Sequence, residues 1–449
     1  MMRLGEAAAA LGGRASGGDA LFTGVSTDSR SLREGDLFVA LRGERFDGHG
    51  FLKAAAAAKA AAAMVDSGYR GEYPLPALVV NDTKRSLGDL ARYWRARFAP
   101  ALVGIAGSNG KTTVKEMLAA VFRKHANESA VLATRGNLNN DIGLPLTLLG
   151  LRHLHRWCAI ELGMNHKGEI AYLAGIAQPT VALVNNAQRE HLEFMNSVEE
   201  VAAENASLYE ALAADGIAVI NADDAQAAFF RSRAGKRRTV EFGLDHGAAV
   251  TGRFQLERLS SAIRLRTPAG EADATLAIPG LHNVRNALAA AACAHAVGIT
   301  ASTIAAGLTA FRPYTGRLQV KQAAGGATVI DDSYNANPDS VRAAIDVLAS
   351  CPAPTALVLG DMGEVGEHGK QFHREVGEYA RAKGVTQLLG MGEATRDAVA
   401  AFGTGAQHFV AVEELLSQIQ AKTILVKGSR FMKMERVVAA LTGSAEGGH

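Results

Sequence analysis

The segment from residue 101 to residue 124 constrains the fold more than any other part of the chain. An apolar strand at 101–106 runs into Gly107-Ser-Asn-Gly-Lys-Thr-Thr113, and a helical pattern follows to about Lys124. Glycines let backbone N–H groups approach an anion closely, and the N-terminus of the next helix adds a partial positive charge. The order of strand, glycine loop and helix therefore predicts a parallel α/β domain that binds phosphate. An ordinary glycine turn before a helix is the alternative.

The loop also predicts a role for each of its polar residues. Lys111 would reach the β- and γ-phosphates of a nucleotide, and the Thr112 hydroxyl would hold Mg²⁺. The spacing departs from the standard pattern, because Ile105 stands where that pattern has its first glycine. The predicted phosphate-binding residues are Gly107, Ser108, Asn109, Gly110, Lys111, Thr112 and Thr113.

The chain of 449 residues is too long for one core, since cores stop growing at roughly 250 residues. Strand patterns alternate with helical patterns, which is typical of parallel sheets covered by helices. We therefore expect an α/β protein of three domains. These are a small α/β domain at 1–99, a central parallel-sheet domain at 100–312, and a C-terminal Rossmann-like α/β domain at 313–449.

Several secondary-structure elements can be placed from the patterns. In the first domain we expect strands at 36–41 and 77–80, a helix at 51–65, and a helix capped by Asp82. Residues 237–278 alternate like short strands and predict a β-rich flank. The last domain has strand patterns at 328–331, 356–359, 387–389 and 423–426.

Composition excludes several classes of protein. The formal net charge is +2, which gives no basic surface for nucleic acid or membranes. Cys158, Cys293 and Cys351 fit no metal-ligand spacing and favour a reducing compartment. The alanine run at 54–63 is too short to span a bilayer. We expect a cytoplasmic enzyme that is a monomer, binds no nucleic acid and does not insert into membranes.

Polar residues follow two of the predicted central strands. Glu161 ends the strand pattern at 157–162, and His191 follows the one at 181–185. In α/β proteins the carboxyl ends of parallel strands form the crevice that binds ligands. Mg²⁺ usually takes oxygen ligands, so His191 would be an unusual ligand and a structural role for it stays open.

Two polar stretches have local explanations as well as functional ones. Residues 26–30 read Ser-Thr-Asp-Ser-Arg, which suits a diphosphate but is also typical of a turn or helix cap. The loop at 134–145 offers Asn137, Asn139 and Asn140, although asparagine is common in ordinary loops. From the residues alone, each stretch is either a ligand-binding segment or an ordinary local turn or loop.

The phosphate loop resembles the ATP site of the Mur ligases and folylpolyglutamate synthetases. The resemblance continues at 26–30, 38–43, 47–49, 134–145, 282–287, 331–338, 360–364 and 427–430, so it spans nearly the whole chain. The stretch Asp332-Ser-Tyr-Asn-Ala-Asn-Pro338 resembles the member of this family that forms the pentapeptide. The resemblance implies an ATP- and Mg²⁺-dependent ligase that joins D-alanyl-D-alanine to UDP-N-acetylmuramoyl-tripeptide. A sibling ligase that adds one amino acid, and a nucleotide-binding module without catalysis, are the rivals.

The resemblance also implies roles for individual residues. Thr112, Glu161 and His191 would be metal ligands, and the catalytic set would be Lys111, Glu161, His191 and Asn205. The nucleotide would contact the loop together with Asn286, Arg317, Asp332 and Asn335, with Asp332 bonded to the ribose. The UDP-linked substrate would contact Ser26, Thr27, Asp28, Ser29, Arg30, Asn137, Asn139 and Asn140. Residues 1–99 would thus bind the UDP-sugar, and 313–449 the dipeptide.

Asn205 departs from the family pattern. Many members carry a lysine there, whose carbamate helps to orient a second Mg²⁺, and a carbamate cannot form on asparagine. We expect Asn205 to support the metal or the γ-phosphate directly. Support from Glu204, or an anion that fills the gap, is the alternative.

Overall fold

The computed structural model describes residues 1–43 and 46–444. The chain forms two compact units. The first comprises Met1–Gly104, Ser129–Met164 and Glu169–Thr180, and the second comprises Ile105–Glu128, Asn165–Gly168 and Val181–His449. The predicted domain limits after residues 99 and 312 stay predictions.

The first unit begins with a mixed five-stranded sheet. Its central strands are buried and run parallel, and its first strand pairs antiparallel with the next. In spatial order the strands are Arg14–Ser16, Ala77–Val80, Ala62–Asp66, Asp36–Val39 and Gly24–Ser26. Met2–Arg3 and Leu21–Phe22 form a separate antiparallel pair.

The helix predicted at 51–65 is wrong over its second half. The helix Leu52–Ala57 ends early, Lys59 adopts a left-handed φ of 58°, and Ala62–Asp66 is a strand. That strand pairs on both sides with apolar neighbours, so burial in the sheet overrides the helical propensity of alanine.

The remainder of the first unit contains helices, one strand pair and the beginning of the strand Ala101–Ala106. Val131–Ala133 lies parallel to Trp157–Glu161. Asp82 accepts a hydrogen bond from the Arg85 backbone N–H, which confirms the predicted cap. The helices of this unit are Leu4–Leu11, Leu52–Ala57, Thr83–Arg95, Gly143–Leu149 and Glu169–Ala177.

The second unit contains the helix that follows the phosphate loop, Lys111–His125. Its strands Val181–Val184, Ile217–Asn221 and Arg238–Phe242 are parallel neighbours, as the alternating pattern predicted. Helices Leu192–Met195, Val198–Glu210 and Ala227–Ala234 connect them. The strand Ala101–Ala106, which leads into the loop, belongs partly to each unit.

The predicted β-rich flank is an antiparallel sheet of three strands. These are Thr251–Leu256, Ser261–Thr267 and Gly270–Leu276. The buried helix Leu281–Ala296 and the helix Ala301–Ala310 follow.

The C-terminal part of the second unit is built on a six-stranded sheet that is parallel except at one edge. In spatial order its strands are Gln319–Gln322, Thr328–Asp332, Thr423–Lys427, Thr355–Gly360, Gln387–Met391 and Ala406–Phe409. The helices of this part are Pro338–Ala349, Gly369–Ala382, Thr395–Phe402, Val412–Ser417 and Glu435–Thr442. Within the described residues, no helix is long and apolar enough to cross a membrane.

Candidate active site

Two glycines of the phosphate loop occupy positions that no other residue fits. Gly107 has a φ of 124°, and a Cβ there would lie 2.9 Å from the Asn185 backbone nitrogen. Gly110 has a φ of 82°, and its Cβ would lie 2.3 Å from Asn286 Oδ1. Left-handed backbone and close neighbours together require glycine. The loop predicted from the sequence is therefore formed by tight packing against the strand ends beside it.

Amide side chains from distant parts of the chain hold the loop in place. The Gly107 N–H donates to Asn205 Oδ1 at 2.7 Å, and the Asn109 N–H donates to Asn186 Oδ1 at 2.8 Å. Asn185 Nδ2 donates to the Asn109 carbonyl at 2.8 Å. Each of these bonds satisfies a loop backbone group that would otherwise be left unpaired. The conformation of the loop is therefore set by hydrogen bonds within the protein.

Lys111 folds back onto the loop that carries it. Its Nζ donates to the carbonyl oxygens of Gly107 at 2.5 Å and Ser108 at 3.0 Å, and to Glu190 Oε1 at 3.2 Å. Thr112 and Thr113 are buried in the first turn of the following helix. The ammonium is therefore held within the loop, where a phosphate can attract it.

Glu190 and His191 form an ionic group beside Lys111. His191 Nδ1 lies 2.6 Å from Glu364 Oε2, and Nε2 lies 3.5 Å from Glu190 Oε1. Burial alone lowers the pKa of His191, but the two carboxylates outweigh it and raise that pKa to about 9. Burial alone raises the pKa of Glu190, but Lys111 and His191 hold it below its ordinary value. The group is therefore ionised at neutral pH.

Both partners of the His191–Glu364 pair have unusual backbones. His191 has a φ of 51° and Glu364 a φ of 59°. Left-handed conformations cost free energy for residues other than glycine and tend to cluster at functional sites. Their contact therefore marks this part of the second unit as a functional candidate.

Arg189 makes a second ionic link within the same unit. Its Nη2 lies 2.6 Å from Asp339 Oδ1, and its Nη1 lies 2.8 Å from Glu375 Oε2. The Arg189 backbone N–H also donates to Asp339. The segment that carries Glu190 and His191 is thus tied to the helix Pro338–Ala349.

A cavity of about 510 Å³ opens beside the loop. Asn286, Arg317 and Asp332, which were predicted to contact the nucleotide, all line it together with loop residues. The size suits a small-molecule ligand, since such pockets measure roughly 300–1,000 Å³. Its lining includes Asn109, Gly110, Thr113, Asn185, Asn186, Asp223, Asp224, His282, Asn286, Arg317, Asp332 and Lys427.

The polar lining of this cavity is extensively hydrogen-bonded. Asn286 Oδ1 accepts from Asn185 Nδ2 at 3.0 Å. Asp332 Oδ2 accepts from Lys427 Nζ at 2.5 Å, and Arg317 stacks over the Tyr334 ring at 4.1 Å. Burial lowers the pKa of the Lys427 ammonium even though Asp332 opposes it.

Asn335 is not among the residues that line the cavity. Its side chain is exposed, and its Oδ1 accepts from the Ala336 backbone N–H at 2.9 Å. Its carbonyl oxygen accepts from Lys427 Nζ at 2.8 Å. Local turn geometry therefore accounts for Asn335 in this structure, and its predicted contact with the nucleotide stays a prediction.

Asn205 is buried, at 1% exposure. Its Oδ1 accepts from Gly107 N–H, and its Nδ2 donates to the Val201 carbonyl at 3.0 Å. Both polar ends of the carboxamide thus contact protein groups. The expected contact with a metal or γ-phosphate stays a prediction.

In the first unit, Glu161 and Asn139 lie together. Asn139 Nδ2 donates to Glu161 Oε1 at 2.8 Å, and the Glu161 backbone N–H donates to Thr134 Oγ1. Glu161 is 2% exposed. A predicted metal ligand and a predicted substrate contact are therefore neighbours. Asn140 instead accepts from the Gly143 backbone N–H at the start of a helix, and Asn137 is exposed.

The predicted substrate stretch at 26–30 forms a turn after the strand Gly24–Ser26. Ser26 Oγ accepts from the Asp28 N–H, and Arg30 pairs with Asp28 at 2.7 Å. The pair with Arg30 lowers the pKa of Asp28 to about 2. The turn reading is thus confirmed locally, while substrate binding by Ser26, Thr27, Asp28, Ser29 and Arg30 stays a prediction.

Several polar residues of the site were not singled out from the sequence. Glu190 and Asp339 supply charge, and Asp223 and Asp224 line the cavity. The two aspartates follow the strand Ile217–Asn221, so the rule about carboxyl ends of parallel strands could have found them. Within the described residues, no cluster of three or more His, Cys, Asp or Glu is arranged to hold a metal by itself.

Comparisons with known proteins account for most of the chain. Residues 105–294 match the Mur ligase middle domain, 316–430 match the Mur ligase glutamate ligase domain, and 21–95 match the Mur ligase family catalytic domain. The chain belongs to the Mur ligase family. The three-domain α/β fold class predicted from the sequence is confirmed by these matches and by solved structures of family members.

Among family members, those that form the pentapeptide resemble the chain over nearly its whole length. The UDP-N-acetylmuramoyl-tripeptide--D-alanyl-D-alanine ligase of Escherichia coli is 40% identical over 96% of the chain and 96% of that protein. A crystal structure of MurF from Acinetobacter baumannii covers 99% of both chains with 34% identity and a TM-score of 0.91. MurF from Thermotoga maritima, solved with ADP, covers 94% of the chain and 98% of its own, with 26% identity and a TM-score of 0.81.

Proposed function

We propose that the chain is an ATP-dependent ligase that joins D-alanyl-D-alanine to UDP-N-acetylmuramoyl-tripeptide in the synthesis of peptidoglycan precursors. The strongest support is the 40% identity, over 96% of the chain, to the Escherichia coli ligase that is named for this pair of substrates. The shaped phosphate loop with Lys111 beside a cavity of about 510 Å³ supports it.

The reaction would proceed in two steps. A tripeptide carboxylate oxygen attacks the γ-phosphorus of ATP, ADP leaves, and an acyl phosphate forms. The dipeptide amine then attacks the acyl carbon, loses a proton, and phosphate leaves as the amide forms. Negative charge builds up on the phosphate oxygens in both steps. Lys111 would therefore move from the loop carbonyls to those oxygens and neutralise their charge.

The donor set also fits Mg²⁺. Thr112, Glu161 and His191 would hold the ion, which would supply a Lewis acid at the phosphates. Glu161 is buried, the Glu190 side chain is 11% exposed, and Glu190 Oε2 is buried with no hydrogen-bond partner among the described residues. Oxygen donors of this kind are what Mg²⁺ prefers.

The remaining assignments complete the proposal. Residues 1–99 would bind the UDP-sugar through the turn at 26–30, with Asn137, Asn139 and Asn140 beside the muramyl group. Residues 100–312 would bind ATP, and 313–449 would bind the dipeptide. Closure of the three domains would exclude water from the acyl phosphate.

An amine screen tests this function. The purified chain is incubated with UDP-N-acetylmuramoyl-tripeptide, ATP and Mg²⁺, and phosphate release is measured with D-alanyl-D-alanine, single amino acids or no amine. We expect release that depends on the dipeptide and matches pentapeptide formed, and that is mostly lost in Lys111→Ala. Stimulation by a single amino acid would assign the chain to a sibling reaction, and no amine-dependent release would indicate a binding module.

A further inference from the structure

The carboxylate of Glu190 is the least expected feature of the phosphate site. The Glu190 side chain is 11% exposed, and it lies against the loop through Lys111. Oε1 accepts from Lys111 Nζ, but Oε2 is buried and has no hydrogen-bond partner among the described residues. Burying a charged oxygen without a partner is costly, so this atom calls for an explanation.

The ammonium of Lys111 occupies a cradle of oxygens. Two loop carbonyls and Glu190 Oε1 surround Nζ at 2.5–3.2 Å. A phosphate-loop lysine is drawn to the β- and γ-phosphates when a nucleotide binds. Lys111 would then leave Glu190 with only His191, whose Nε2 lies 3.5 Å from Oε1, and the buried Oε2 would still have no partner among the described residues, which is unfavourable. A second cation at Oε2 would therefore stabilise the carboxylate when the nucleotide binds.

The chemistry of the site suits a divalent cation in that role. Mg²⁺ is commonly bound by one or two carboxylates together with nucleotide phosphates and water. No described cluster of side chains is arranged to hold a metal by itself, so phosphates would have to complete the ligand shell. His191, a predicted ligand, has its Nε2 3.5 Å from Glu190 Oε1. Glu190 therefore lies next to a predicted ligand, and a metal ion at Nε2 would have to displace the proton that His191 otherwise holds.

Asn205 does not supply this charge. Its carboxamide is neutral, and its two polar ends contact Gly107 and Val201. Glu190 in contrast brings a full negative charge to the same loop. An anion beside the phosphate loop is thus provided by Glu190 rather than by the residue at position 205.

We propose that Glu190 is a ligand of the Mg²⁺ ion that accompanies ATP, and that this ion replaces Lys111 on the carboxylate when the nucleotide binds. The inference rests on the proposed function, because it assumes that the loop binds ATP. The competing explanation is that Glu190 serves only as the counter-ion of Lys111.

The test compares Glu190→Gln with Glu199→Gln in the full chain. Glu199 is an exposed carboxylate nearby in sequence and is a matched control. Binding of a non-hydrolysable ATP analogue is measured over a range of Mg²⁺ concentrations and in EDTA. Bound Mn²⁺ is measured in parallel by electron paramagnetic resonance with the same analogue present.

We expect Glu190→Gln to raise the Mg²⁺ concentration for half-maximal analogue binding by about tenfold or more, and to weaken Mn²⁺ binding similarly. Analogue affinity in EDTA should stay equal or rise, because Lys111 is released. Glu199→Gln should match wild type in every measurement. If Glu190→Gln does not fold, Glu190→Asp takes its place. Its effects on Mg²⁺ and Mn²⁺ binding should have the same direction but be smaller, because the shorter side chain moves the carboxylate away from the ion.

Two results would overturn the inference. Unchanged Mg²⁺ and Mn²⁺ dependence in Glu190→Gln, with or without a rise in metal-free affinity, would make Glu190 a counter-ion only. Failure of the wild-type chain to bind the analogue at any Mg²⁺ concentration would overturn the proposed function as well. The wild-type control therefore separates the two failures.

Discussion

The phosphate loop and the turn at 26–30 are both short polar stretches, but they are held in different ways. The loop depends on residues far along the chain, such as Asn205, which is 98 positions from Gly107. The turn is held by bonds that span at most five positions, and the Arg30 side chain is 89% exposed. A loop shaped by distant partners should lose function when one partner changes. A turn that folds by itself should tolerate changes, except for those that remove a contact with a ligand.

The largest effect is expected when a side chain is forced into the loop. Gly107→Ala would place a methyl group 2.9 Å from the Asn185 nitrogen at a φ of 124°. Displacing a reacting group by about 1 Å costs roughly 100-fold in rate, so we expect kcat/KM to fall by at least that factor. Gly298→Ala has a similar φ of 86° and nothing within 4 Å, and is the control. Equal activity of the two variants in dipeptide-dependent phosphate release would contradict the account.

A smaller loss is expected from Asn205→Ala. The buried Gly107 N–H would lose its acceptor, at a cost of about 1–3 kcal/mol. We expect a roughly tenfold fall in kcat/KM and a lower melting temperature. Ser207→Ala on the same helix is the control, because Ser207 Oγ donates to the Glu204 carbonyl within that helix and makes no bond to the loop among the described residues. Bicarbonate-dependent activity of wild type would instead indicate that an anion fills the site beside Asn205.

The ionic pairs of the two regions should respond differently to pH and salt. The pKa of His191 is raised to about 9, so its stabilising contribution is full below about pH 6.5 and is lost as pH rises through 9. The pKa of Asp28 is lowered to about 2, so its contribution is present above about pH 4 and is lost as pH falls through 2. The Asp28 pair is exposed and should contribute little at high salt.

Thermal melting at pH 6.5 and 9.5 checks the His191 part of this difference. The melting temperature of wild type should be lower at pH 9.5 than at pH 6.5, and the melting temperature of His191→Gln should fall by less. This difference between wild type and His191→Gln should persist at a salt concentration of roughly 0.5 M, which screens exposed charges strongly. It should persist because His191 and Glu190 are largely buried. An identical pH dependence in both proteins would show that His191 is not held as a cation.

The smallest effect on stability is expected in the turn. Arg30→Ala should change the melting temperature little, because surface substitutions usually cost less than about 0.5 kcal/mol. If Arg30 contacts the UDP diphosphate, KM for UDP-N-acetylmuramoyl-tripeptide should rise while KM for ATP stays constant. Arg33→Ala, also exposed, is the control. An unchanged KM for the UDP substrate would limit residues 26–30 to a structural turn.

The same contrast explains what the sequence could predict. The glycine loop, the strand before it, the helix after it and the Asp82 cap follow from local patterns, and the structure has them. The helix predicted at 51–65 was wrong because pairing of Ala62–Asp66 with two buried strands is a long-range effect. Glu190 was missed for a similar reason. Its importance depends on Lys111, which lies 79 positions away.

The most direct test of the proposed phosphoryl transfer traces a carboxylate oxygen of the tripeptide into the released phosphate. UDP-N-acetylmuramoyl-tripeptide labelled with ¹⁸O in its reacting carboxylate is converted with ATP and D-alanyl-D-alanine, and the released phosphate is analysed by mass spectrometry. If the loop delivers the γ-phosphoryl group to that carboxylate, one labelled oxygen should appear in each phosphate. Phosphate without label, released in step with pentapeptide formation, would contradict the proposed phosphoryl transfer at Lys111.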